Sequence, residues 1–181
     1  MIDALTLAFS ADPVTRWTWA DPRVYLTTFP HFARAFGGRA FARGSAHYVQ
    51  DHVGAALWLP PGEHADEEVM GKLMEQTVPG AVQKDAVGLL EQMGRYHPKE
   101  PHWYLPLIGI DPACQGKGYG GALLHYAVGI CDREGSLAYL ESTKPRNVPL
   151  YERHGFEVLG KIQSGSSPTL FPMLRKPQRR V

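Results

Sequence analysis

The chain has 181 residues, 44% of them hydrophobic, and a formal net charge of +1 at pH 7. That length suits one domain, or one domain with an insertion. The near-neutral balance gives no ground for a nucleic acid, a membrane surface or a strongly acidic partner, and no apolar run approaches membrane-spanning length.

Taken in order, residues 2–9 read as a helix with Leu5 and Phe9 on one face, stopped by Asp12-Pro13. Arg16-Trp17-Thr18-Trp19 reads as an aromatic loop. Asp21 and Pro22 form an N-cap and first turn. The helix they start keeps Tyr25, Phe29, Phe32, Ala33 and Phe36 on its apolar face, with a kink expected at Pro30 and an end at Gly37-Gly38. Two strands over 46–50 and 55–59 flank Asp51-His52-Val53-Gly54, a hairpin turn. After Pro60-Pro61-Gly62, helices are expected over 67–76 and 82–96. The second has Val82, Ala86, Leu89, Leu90 and Met93 on one face.

Residues 102–110 form an apolar strand containing Pro106. Proline donates no ladder hydrogen bond, so a bulge is expected there. Gln115-Gly116-Lys117-Gly118-Tyr119-Gly120-Gly121 follows. The next helix runs to about Arg133, with Leu123, Tyr126, Ala127 and Ile130 on its apolar face. Strand, glycine-rich loop and helix together make an anion site: glycines let backbone N–H groups close on a ligand, and the helix start is electropositive. A P-loop is excluded by spelling, since Lys117 precedes Gly118 and not Ser or Thr. Gly116, Gly118 and Gly121 spell G-x-G-x-x-G, with Glu141 at the distance of a ribose-binding acid. Yet Asp111 to Gln115 intervene after the strand, and too little chain follows for further βαβ units. The remaining spelling is Q-x-x-G-x-G.

A strand over 137–142 follows the helix in βαβ order, so it is expected beside the strand over 102–110 and parallel to it. A short helix over 147–154, a strand over 156–162, a polar turn over 164–167 and a strand over 169–174 complete the chain. The basic tail Arg175-Lys176-Pro177-Gln178-Arg179-Arg180 reads as a solvated end. Cys114 and Cys131 lie in a loop and late in a helix, which argues against a bridge, and no metal-ligand spacing accompanies them. The N-terminus has no charged lead or cleavage pattern, so a cytoplasmic, reduced protein is expected.

Two runs carry a resemblance. One extends from Tyr96-His97-Pro98-Lys99-Glu100-Pro101-His102-Trp103-Tyr104-Leu105 through Gly109-Ile110-Asp111-Pro112 to the glycine loop. The other joins Leu140-Glu141-Ser142 to the stretch from Pro145-Arg146-Asn147 to Gly155-Phe156. On these the chain resembles the GNAT superfamily of N-acetyltransferases, and within it the puromycin N-acetyltransferases. The resemblance implies one α/β (α+β) domain over 1–181, with a mixed central sheet flanked by helices. The family's first strand is expected to be missing from this chain.

The resemblance also implies acetyl-CoA as cofactor and a small-molecule amine as acceptor. Gln115, Gly116, Lys117, Gly118, Tyr119 and Gly120 would hold the pyrophosphate. The backbone of Ile108, Gly109 and Ile110 would pair with pantetheine and offer an N–H to the thioester oxygen. Asn147 would contact the cofactor, and Tyr151 would lie near the sulfur as proton donor. A tyrosine's ordinary pKa of about 10 suits that role. Glu141 is the candidate general base, with His102, Tyr104 or a water relay as alternatives. The helices up to residue 36 and over 67–96, with Trp17, Trp19, Phe29 and Trp103, would wall the acceptor pocket. A non-catalytic acyl-CoA sensor and an NAD(P)-dependent oxidoreductase are the competing readings. Monomer and homodimer both stay open.

Overall fold

The structure is a computed structural model, and it describes residues 1–178. Helix α1 (Ile2–Phe9) and helix α2 (Pro13–Thr18) meet at Asp12. That residue both ends one helix and starts the next. Its carboxylate accepts from Val14 N and Thr15 N at 3.1 Å each, with Pro13 set at the first helical position. The stretch from Arg16 to Thr18, expected as a loop, is therefore helical. Helix α3 (Pro22–Gly37) starts on the Asp21 cap and continues through Pro30. Gly38 has φ −67° and leads straight into the short α4 (Arg39–Ala42), which the sequence pattern did not reveal.

Strands β1 (Ala46–Val49) and β2 (Gly54–Leu59) form the expected hairpin. Asp51 and His52 at its turn have φ of 45° and 63°, the pattern whose twist matches the flanking strands. Helices α5 (Glu67–Thr77) and α6 (Gly80–Tyr96) follow, then β3 (His102–Ile110), α7 (Tyr119–Glu134) and β4 (Leu137–Ser142). After a 3-10 turn (Pro145–Asn147) come α8 (Val148–Glu152), β5 (Phe156–Val158) and β6 (Phe171–Arg175). β5 is shorter than expected. Beyond it, Ile162 only bridges Leu170, and the polar turn at 164–167 docks on α6, where Asp85 accepts from Ser166 N at 2.8 Å.

Among the described residues these strands form one mixed sheet in the order β1-β2-β3-β4-β6-β5. β3 and β4 are parallel, as the βαβ order required, and the other pairs are antiparallel. Side-chain alternation sorts the core into two layers. Leu57, Leu59, Tyr104, Leu107 and Tyr139 face α1, α3 and α6. Ala56, Trp58, Leu105, Leu140 and Met173 face α7 and α8. Tyr104 and Leu107 share a face although they are an odd number of residues apart. That parity change requires an extra residue in the strand, and the β2–β3 register slips there, from Leu57↔Leu107 to Leu59↔Tyr104. The expected bulge at Pro106 is present.

Helix α7 buries Leu123, Leu124, Ala127, Val128 and Cys131, while Tyr126 is 59% exposed, so its expected place on the apolar face is corrected. The tail is corrected as well. Arg175 is 2% exposed and forks onto Asp132 at 2.7 and 2.8 Å, with its Nε donating to the His154 carbonyl at 2.7 Å. Arg179 and Arg180 lie outside the described residues.

Candidate active site

The parallel pair β3–β4 holds only from His102↔Leu137 to Leu105↔Leu140. Past the Pro106 bulge the two strands part. Pro106 to Ile110 continues alongside β2, while Glu141 and Ser142 pair only with β6. A cavity of about 500 Å³ occupies the gap. Ile108, Gly109 and Ile110 of β3, Leu140 and Glu141 of β4, and Tyr151 of α8 line it. Gly109 has a packing reason to be glycine: a Cβ there would stand 2.5 Å from the Ala8 Cβ, where α1 crosses the strand.

The glycine loop closes one end of this slot. Gly116 and Gly118 have φ of 78° and 83°, and a Cβ on either would meet nothing within 4 Å, so the space before them is open. Helix α7 begins at Gly118, and among the described residues no side chain caps its first turn, which leaves those N–H groups available to an anion. Lys144, Arg146 and Arg153 line the same cavity. This cationic contribution was not foreseen from the sequence, because the three sit in the next connection and at the end of α8. Unpaired amides, open space and cations together fit a pyrophosphate.

Gln115 also lines the cavity, and its side chain donates to the Ile110 carbonyl at 3.1 Å, tying the loop to the strand. Tyr119 and Gly120 line it too, with the Tyr119 hydroxyl donating to Gln50. Lys117 is exposed and does not line the cavity. Gly121 packs against the His154 ring, which a Cβ on Gly121 would meet at 3.7 Å. A dinucleotide fold is not what surrounds the loop. β4 is followed in the sheet by antiparallel β6, and no second parallel crossover exists among the described residues.

Asn147 and Tyr151 are both in the slot. Asn147 ends the 3-10 turn at the start of α8, one turn before Tyr151. Tyr151 is 6% exposed and meets Phe156 edge-on at 6.2 Å, so it is a core residue and a slot residue at once. Burial, with the Asp12 charge adding to it, holds its hydroxyl well above the usual tyrosine range.

Opposite lies Glu141, its side chain 3% exposed. The Tyr104 hydroxyl donates to its Oε2 at 2.9 Å. Oε1 makes no hydrogen bond among the described residues, and His97 Nε2 stands 3.4 Å from it. His97 Nδ1 is 3.3 Å from His102 Nε2, and His102 Nδ1 is 2.8 Å from the Glu100 carbonyl. Of the residues weighed as bases, Tyr104 touches Glu141 directly and His102 lies one imidazole further away. His97 was missed, because nothing local in Tyr96-His97-Pro98 shows that the chain brings it back against β4.

A second, narrower cavity of about 100 Å³ adjoins the slot and shares Phe9, Asp12, Pro106, Glu141 and Thr143 with it. Trp17, Trp19 and Phe29 line this cavity together. Trp103 does not: its indole N–H donates to Glu134 at 2.7 Å on the α7 side of the sheet. Asp12 holds the junction, accepting from Thr143 Oγ1 at 2.5 Å with Lys144 Nζ 3.7 Å away.

A family model for the GNAT acetyltransferases matches residues 17–156. An uncharacterized N-acetyltransferase of Schizosaccharomyces pombe is 29% identical over 157 residues, which cover 75% of this chain and 61% of that protein. The chain thus spans under two thirds of this relative's length. Among solved structures, a Corynebacterium glutamicum protein described as histone acetyltransferase HPA2 and related acetyltransferase is 26% identical, with a TM-score of 0.68 over 99% of this chain and 91% of its own. Arylalkylamine N-acetyltransferase 2 from Aedes aegypti, 16% identical, shares the fold at a TM-score of 0.61 over 98% of this chain and 93% of its own.

Proposed function

The chain belongs to the GNAT acetyltransferase family, and on that footing we propose that it transfers an acetyl group from acetyl-CoA to the primary amine of a small molecule. The observation that carries the reading is the parting of β3 and β4 at Pro106, which sets Glu141 and Tyr151 on one cavity. The glycine loop and the α7 amides would hold the pyrophosphate, with Lys144, Arg146 and Arg153 adding charge. The backbone of Ile108 to Ile110, beyond the end of the β3–β4 ladder, would bind the pantetheine arm as an added strand. When bound, acetyl-CoA supplies an acyl carbon activated as a thioester.

Each residue then has a proton to move or a group to place. Glu141 takes one proton from the incoming ammonium, leaving a nucleophilic amine. A backbone N–H of the strand stabilises the carbonyl oxygen as it gains charge. Tyr151 gives its proton to the departing sulfur and recovers one from the nitrogen that has just been acylated. Its hydroxyl is in the donating form at neutral pH, as the ordinary tyrosine pKa of about 10 already ensures. Trp17, Trp19 and Phe29 favour an aromatic or otherwise apolar acceptor in the adjoining cavity.

The test is thiol release from acetyl-CoA over a panel of amines that includes puromycin, 2-phenylethylamine and agmatine. Amine-dependent release of CoA, with the acetylated amine seen by mass spectrometry, is the expected result. Binding of CoA without turnover of any amine would favour an acyl-CoA sensor. A melting point raised by NAD and not by CoA would overturn the reading altogether.

A further inference from the structure

The proton that Glu141 removes must leave a buried carboxylate. Glu141 is 3% exposed and its Oε2 is already taken by the Tyr104 hydroxyl. The path outward is marked by Oε1, His97 Nε2, His97 Nδ1, His102 Nε2 and His102 Nδ1, with gaps of 3.4 Å and 3.3 Å between residues. Both imidazoles also line a wider cavity of about 720 Å³, bounded by α5, α6 and residues 97–102, away from the glycine loop. We propose that His97 and His102 are a proton exit, relaying the proton taken by Glu141 from the slot to that outer cavity. The proposal rests on Glu141 being the base.

The hydrogen-bond chemistry fixes the direction. A backbone carbonyl only accepts, so the contact with Glu100 places the proton of a neutral His102 on Nδ1 and leaves Nε2 a lone pair. His97 must then carry its proton on Nδ1 to bond that lone pair. Its Nε2 is left as an acceptor facing Glu141 Oε1. Two acceptors face each other while Glu141 is a carboxylate, consistent with a 3.4 Å separation longer than an ordinary hydrogen bond. Once Glu141 holds a proton, the contact becomes a donor–acceptor pair. The proton passes to His97 Nε2, the Nδ1 proton passes to His102 Nε2, and His102 releases that Nε2 proton to water in the outer cavity, which returns it to the Nδ1–H form. His97 is left as the Nε2–H tautomer and regains the Nδ1–H form by exchange with water in the same cavity, which it also lines. The balance is one proton out of the ammonium and one into solvent, with no electron transfer.

Burial lowers the proton affinity of His102, which favours release over storage. The ionisable groups around the pair are Glu141 and Tyr139 of β4, Tyr104 of β3 and, acting on His102, His64 of the connection before α5. Glu63, Glu67, Glu100 and Lys99 line the outer cavity with the two imidazoles, at the end of the path where the proton is discharged.

The test has three variants and one measurement without turnover. With acetyl-CoA and the panel amine acetylated fastest, His97→Gln is expected to lose at least about tenfold in kcat. The acetyl-CoA dissociation constant should stay unchanged, and added imidazole should restore much of the rate. His102→Asn should behave the same way, more mildly. Glu141→Gln should be inactive and imidazole should not help it. A His97→Gln protein with wild-type kcat, or one that is slow and indifferent to imidazole, overturns the relay. Wild-type kcat in Glu141→Gln would instead remove the base on which it rests. Independently of any acceptor, nitrogen-15 NMR of the histidine rings should find both His97 and His102 as Nδ1–H tautomers at neutral pH. An Nε2–H tautomer at His97 would also overturn the relay.

Discussion

The Tyr104 hydroxyl donates to Glu141 Oε2 at 2.9 Å, across the last stretch where β3 and β4 still run side by side. That bond holds the carboxylate in one orientation. Tyr104→Phe removes the bond and leaves the ring. A charge-assisted bond contributes about 1.5 kcal/mol or more, so kcat/KM should fall by about tenfold, while the acetyl-CoA dissociation constant stays within a few-fold. The check is steady-state kinetics of mutant and wild type with calorimetry for the cofactor, and an unchanged kcat/KM would mean that this bond does not position Glu141 for the reaction.

Gly118 offers the clearest test of the cofactor end. It has φ 83°, and its missing Cβ leaves open the space before the α7 amides. Gly118→Val fills that space. In wild type, CoA at about a hundredfold excess over its dissociation constant should stabilise the protein by about 2.7 kcal/mol. In the variant that stabilisation should vanish while the far-UV circular dichroism is retained. Undiminished stabilisation by CoA would show that the loop is not its binding site.

Much of this site was open to reading in the chain. Residues 102–121 combine an apolar run, a misplaced proline and a glycine cluster, each with a local physical cause, and the strand, bulge, loop and helix all stand where expected. What was misread depended on longer-range or doubled signals. Asp12-Pro13 looks like a helix stop, and it is also the cap and first turn of α2. Tyr126 keeps helical spacing with the buried face of α7, yet lies beyond its edge against His47. Arg175 looks like the first charge of a solvated tail until Asp132 is found beside it. His97 has no periodicity to reveal it. It reaches Glu141 only because the chain doubles back between α6 and β3.

The Arg175–Asp132 pair should matter for stability. Arg175 is buried, with both guanidinium nitrogens on the Asp132 carboxylate, and Asp132 Oδ1 also accepts from Gln178 N at 2.6 Å. A hydrogen bond to a charged group contributes about 1.5–3 kcal/mol. Arg175→Gln should lower the stability by at least about that much, since it gives up the fork onto Asp132 and the bond to the His154 carbonyl. Urea unfolding measures it, and a loss below about 1 kcal/mol would class the pair with ordinary surface bridges.

His47 should contribute to acid sensitivity. Burial lowers its proton affinity, and its Nε2 has no hydrogen-bond partner among the described residues. The unfolded chain therefore binds this proton more readily than the folded one. Stability falls as pH drops through the unfolded value of about 6.5. His47→Gln should flatten that part of the fall, leaving a remainder in which His102, lowered in the same direction, takes part. Unfolding free energies measured on either side of that pH give the slope. An unchanged slope would mean that His47 titrates alike in both states.

Tyr151 carries the most direct test of acetyl transfer in the slot. Tyr151→Phe preserves the ring and its contact with Phe156 and removes only the proton offered to the sulfur. Losing a general acid typically costs about 10²–10⁴-fold in rate. Ground-state binding is spared, because that interaction matters only as charge forms on the leaving group. The measurement pairs single-turnover kinetics, using an amine the wild type acetylates, with calorimetric titration of acetyl-CoA. A rate reduced by at least about a hundredfold, with the dissociation constant within a few-fold, is the predicted result. A wild-type single-turnover rate would contradict it and leave Tyr151 a core residue only.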